Sequence, residues 1–136
     1  MKARDFVIAC ATFAFTAVAG AATGVNSNWV GVWQGRLGGV PSVELTIGND
    51  AGQVDGTIVF HRVIKTADGP RSDSTEPHTL IHPHFDGTKL VFQIIRGNGS
   101  DEVLNMAVEL NSAASLTFHC SNCGPTGTTA DLEKMQ

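Results

Sequence analysis

The sequence has no excess of positive charge. Lysine and arginine number 9 against 13 aspartates and glutamates, a formal net charge of −4. No run of like charge hides a basic patch inside that total. Nucleic acid and anionic lipid are therefore poor candidates as partners. Long apolar runs are also missing. The one markedly apolar stretch, residues 6–19 (FVIACATFAFTAVA), is about 14 residues long, short of the roughly 20 that a permanent transmembrane helix needs. No segment after it repeats apolar residues at helical spacing between a cap and a stop. No nucleophile elbow is present, and no glycine-rich loop leads a strand into a helix. The acids Asp101 and Glu102 read as a solvated turn. These absences point away from an enzyme, and no cofactor motif stands in the chain. Cysteines number 3, too few for a disulfide scaffold.

What is there begins with an export signal. Lys2 and Arg4 precede the apolar stretch, and Ala17-Val18-Ala19 and Ala19-Gly20-Ala21 follow with the small-x-small spacing that signal peptidase cuts. Residues 1–21 are expected to be a helical signal peptide, and residues 22–136 a single domain in the periplasm or outside the cell. Val7-Ile8-Ala9-Cys10 is a poor lipobox, because the apolar run continues past Cys10, so lipidation is not expected. Cleavage removes Lys2, Arg4 and Asp5, leaving 7 basic and 12 acidic residues and a net charge of −5. No membrane span remains afterwards. A domain of that length buries about two thirds of its unfolded surface, enough for one core.

Apolar spacing in the domain is two, which predicts strands. Val43, Leu45 and Ile47 alternate with Glu44 and Thr46. Leu104, Met106, Val108 and Leu110 alternate with Asn105, Ala107 and Glu109. Strands are expected near 29–37, 42–48, 53–64, 78–84, 88–96, 103–111 and 115–120, with a last short one near 128–134. Gly38-Gly39, the turn 49–52 and Asp86-Gly87 supply the punctuation. Residues 66–77 (TADGPRSDSTEP) are polar, hold two prolines and show no period, so they read as a long loop and a candidate lid. Strand rhythm and short turns predict an all-β, antiparallel, up-and-down barrel of seven or eight strands, whose closure removes exposed edges.

Gly31-Val32-Trp33 opens the first strand as a G-x-W triplet. A glycine turn, an alternating second strand and the turn into a third at 52–57 follow. Over about residues 29–60 this resembles the start of lipocalin-like barrels, avidin-like ones in particular. It is also similar to small secreted lipocalin-like domains of bacteria. The resemblance implies a barrel with Trp33 closing one end. It does not extend to biotin binding, because the sequence has no tyrosine and both tryptophans, Trp29 and Trp33, lie in the first strand.

Two clusters carry possible chemistry. His78, His82 and His84 fall within HTLIHPH, and an extended strand would put His82 and His84 on one face, as two ligands of a metal ion. His61 and His119 are candidate third ligands. Cys120 and Cys123 form a Cys-x-x-Cys-Gly turn. In an oxidising compartment a disulfide is the first expectation, and it needs a tight turn to bring the two residues together. A zinc site would need a second pair of ligands, and a redox pair would want a helix start. The function expected is that of a secreted lipocalin-like protein holding a small, mostly apolar molecule in the barrel. Trp33, Phe60, Phe92, Met106 and Phe118 are its candidate lining. The alternatives are an envelope interaction protein with no small ligand and, behind it, a metal-binding protein using His82 and His84. The sequence specifies neither a ligand's identity nor an oligomeric state.

Overall fold

The computed structural model of the chain describes residues 25–97, 101–124 and 127–136. The expected signal peptide lies outside these residues. Nine strands follow in order: β1 Gly31–Leu37, β2 Val40–Asp50, β3 Gln53–Thr66, β4 Gly69–Thr79, β5 Ile81–Asp86, β6 Lys89–Ile95, β7 Val103–Ser112, β8 Ser115–Cys120 and β9 Thr128–Lys134. They form one antiparallel sheet in the order β4-β3-β2-β1-β9-β8-β7-β6-β5. Among the described residues there is no helix. In particular, no helix is long and apolar enough to cross a membrane.

The sheet curls into a half-barrel. Its concave face collects the alternating apolar residues, so that Trp33, Leu45, Ile58, Phe92, Met106 and Leu116 are each no more than 1% exposed. A sheet with one buried face specifies its register strongly, because a slip of one residue turns every apolar side chain outward. The β2–β3 pairing shows this register, with Leu45 opposite Ile58 and Glu44 opposite Val59.

Two expectations are corrected. Residues 66–77 are not a loop. After a turn closed by the Thr66 hydroxyl donating to the Gly69 carbonyl at 2.6 Å, β4 runs back along β3 from Gly69 to Thr79. It shows no apolar alternation because it is an edge strand with most of its side chains in solvent. Among the described residues the strands number nine rather than seven or eight, and their ladder does not close. The two edges, β4 and β5, are consecutive in the chain and separated by Leu80 alone. Leu80 is buried, and its N–H donates to the Gly56 carbonyl at 3.1 Å. The chain thus leaves one edge of the sheet and enters the other through one bent extended segment. Pro70 and Pro77 on β4 and Pro83 on β5 lack N–H donors, which edge strands tolerate.

One end of the half-barrel is plugged. A turn at residues 26–30 folds Trp29 over the core, and the Trp33 indole N–H donates to the Trp29 carbonyl at 3.0 Å. Phe85 meets the Trp29 ring edge-on at 5.3 Å, and the Lys134 ammonium stands 5.3 Å from the Trp33 ring. Trp33 is fully buried beneath this turn.

Candidate functional site

The other end is open. A cavity of about 490 Å³ lies there between the β3–β4 flank and β6, β7 and β8. Its apolar floor is Phe60, Ile94, Leu104 and Phe118, and its lip carries Glu76, His78 and Arg96. Strand alternation explains the arrangement. Phe60 pairs with Glu76, and Ile58 with His78, across β3 and β4. Side chains directly opposite one another share a face, so Glu76 and His78 point to the same concave side as Ile58 and Phe60. Leu80, two residues on, keeps that parity and is buried. Arg96 continues the inward parity of Phe92 and Ile94 at the end of β6.

The rings form a corner. Phe60 meets Phe118 at 6.3 Å and 63°, and the His78 imidazole at 5.8 Å and 64°. Both are edge-to-face geometries favoured by the ring quadrupoles. The His78 side chain is 10% exposed and its Nε2 lies 3.5 Å from a Glu76 carboxylate oxygen. Arg96 is tied to the turn after β6. Its Nε donates to Glu102 Oε1 at 2.7 Å, and its backbone N–H donates to the Glu102 carbonyl at 2.8 Å.

The third wall is the turn between β8 and β9. Cys120 and Cys123 form a disulfide with their Cα atoms 5.5 Å apart, the tight turn that such a bridge requires. Cys120 is buried in the core, and Cys123 and Gly124 face the cavity. Asn122 fixes this turn against β7. Its side-chain amide donates to the Val103 carbonyl at 2.9 Å, and its carbonyl accepts the Asn105 N–H at 2.8 Å.

The structure divides the five aromatic and sulfur residues expected to line a cavity. Phe60 and Phe118 do line it. Trp33, Phe92 and Met106 belong to the filled core and are at most 1% exposed. Glu76, His78 and Arg96 were not anticipated as lip residues. The signal for Glu76 and His78 is their shared parity with Leu80, which becomes readable only once β4 is taken as a strand.

The histidines do not converge. The β5 ladder slips between Ile81 and His84, and His82 takes a φ of 50°, a left-handed conformation that a histidine rarely adopts. The backbone there is a bulge, so the even alternation expected of His82 and His84 fails, and the His84 Nδ1 meets the His82 carbonyl at 2.8 Å instead. His61 lies on β3 near Glu44, at 3.7 Å. His119 lies on β8, where its Nδ1 meets the Thr129 hydroxyl at 2.9 Å. Among the described residues, no group of three or more His, Cys, Asp or Glu side chains is placed to hold a metal ion. No family model, curated protein or solved structure matches the chain.

Proposed function

We propose that this protein is an exported binding protein, secreted or periplasmic, that holds one small and mostly apolar molecule in the open end of the half-barrel. The observation that carries the reading is the cavity of about 490 Å³ floored by Phe60, Ile94, Leu104 and Phe118. Its volume lies within the range of small-molecule sites, and an apolar floor with a few convergent polar groups at the lip is their usual composition. The disulfide supports an oxidising compartment, as does the export signal read from residues 1–21. The plugged end and the filled core favour a pre-formed site over a collapsible one.

The test uses a neutral apolar fluorophore, N-phenyl-1-naphthylamine, titrated against the oxidised protein. Saturable binding at one site is expected. Leu104→Trp, which fills the floor, is expected to weaken that binding at least tenfold while the thermal unfolding midpoint stays within a few degrees. Absence of saturation, or equal binding by the filled variant, contradicts the reading.

A further inference from the structure

The concave face is apolar until it reaches the open end, where three inward positions are Glu76, His78 and Arg96. We infer that the ligand of this cavity is an organic cation, a small ammonium compound with an apolar body, held at its charged group by the Glu76 carboxylate and the Phe60 ring. This rests on the binding reading above and adds the chemical class of the ligand.

Charge is the first argument. The Arg96 guanidinium is engaged by Glu102 at 2.7 Å, so its charge is locally cancelled. The Glu76 carboxylate has a different neighbour, the His78 imidazole at 3.5 Å, which carries charge only when protonated. Because Arg96 is paired with Glu102, which lies outside the cavity lining, the Glu76 carboxylate is the lip's unbalanced negative charge whenever His78 carries no proton. An anionic ligand would bring its charge against that carboxylate. A cation is attracted to it, and the chain's net charge of −4 steers cations toward the protein as a whole.

Geometry is the second argument. Phe60 and Glu76 are direct cross-strand partners, so their Cβ atoms stand about 5 Å apart. An aromatic ring and a carboxylate side by side form a two-part receptor for an ammonium group, because the negative face of the ring quadrupole attracts a cation within about 6 Å. The Phe118 and His78 rings, set edge-on to Phe60, complete the corner. The carboxylate also reaches across the cavity mouth. A Cβ added at Gly97 would lie 2.6 Å from Glu76 Oε2, so the Glu76 side chain reaches across from β4 and rests on the backbone beyond β6. Its oxygen atoms are presented over the cavity mouth, with the side chain 44% exposed.

The experiment titrates three probes that share one alkyl chain, octyltrimethylammonium, 1-octanol and octanoate, into the oxidised protein by calorimetry at pH 7.5. Octyltrimethylammonium is expected to bind about tenfold more tightly than 1-octanol, and octanoate more weakly than both. Glu76→Gln is expected to bring the ammonium probe down to the affinity of 1-octanol and to leave 1-octanol unchanged. Arg96→Gln, which removes the positive charge at the lip, is expected to strengthen the ammonium preference, and the retained 1-octanol binding of Glu76→Gln guards against a folding defect in that variant. Tightest binding of octanoate, or an ammonium preference that survives Glu76→Gln or disappears in Arg96→Gln, overturns the inference while the cavity still binds 1-octanol. Binding of none of the three overturns the inference together with the reading on which it rests.

Discussion

Gly56 sits where β3 passes close to the backbone of β2. A Cβ at this position would collide with the Thr46 carbonyl oxygen and lie 3.3 Å from the Leu80 Cδ1. The glycine thus lets two strands approach and lets Leu80 seat itself at the junction between the two sheet edges, where its N–H bonds the Gly56 carbonyl. Gly56→Ala is expected to destabilise the fold by about 1–3 kcal/mol, the usual cost of overpacking a tight contact, read as a lowered midpoint in urea. An unchanged midpoint would mean that the strands separate at no cost and that the close approach is incidental. The lip residues follow a different logic. Glu76 and His78 stand at positions whose parity would normally be apolar, and each lies at the edge of the cavity rather than in the filled core. A polar residue at an inward position needs a partner or solvent, and the open end supplies both.

The elements differ in how plainly the sequence announced them. Strands with one buried face were legible, since Val43, Leu45 and Ile47 or Leu104, Met106 and Val108 alternate against polar neighbours and fold as β2 and β7. β4 was not legible. An edge strand with most of its side chains in solvent carries no apolar period, and Gly69, Pro70 and Pro77 look like loop chemistry. The break between β4 and β5 was hidden for a related reason, because residues 78–84 read as one strand that the structure divides at Leu80. The site suffered from both. Phe60 and Phe118 were readable as inward aromatics, whereas Glu76 could not be placed without β4, and nothing local marks Asn122 as the residue that clamps the disulfide turn to β7.

This ordering of the strands has a dynamic consequence. Among the described residues β4 has one neighbour, whereas β1, β9 and β8 lie in the middle of the sheet with a partner on each side. Backbone amides of β4 are expected to exchange with deuterium well before those of β1, β8 and β9, as hydrogen-exchange mass spectrometry reports. Equal protection along the whole sheet would indicate that the edges are paired in solution. The turn between β8 and β9 yields a second expectation. Bridging Cys120 to Cys123 closes a short loop and restricts the unfolded chain, which corresponds to about 2 kcal/mol in the loop-entropy account. Replacing both cysteines by alanine is expected to lower stability by that order in chemical denaturation. No change would place the structural role of this turn entirely on Asn122.

At the scale of the whole molecule the fold is a half-barrel with two unlike ends. Trp29, Trp33 and Phe85 fill one end. At the other, the β3–β4 flank faces β6, β7 and β8 across a cavity with an aromatic floor and a charged lip. A closed barrel would have hidden both edges. Here the edges are joined through Leu80, and the cavity at the open end is the proposed binding site. The central claim is that this cavity holds a small molecule. Its most direct test is native mass spectrometry of the protein recovered from the periplasm without added metal or reductant. The expected result is a chain lacking residues 1–21, two hydrogens lighter than its reduced form, carrying one small organic adduct that leaves on denaturation. An oxidised chain without any adduct, and unable to take one up from the alkyl probes, would contradict it.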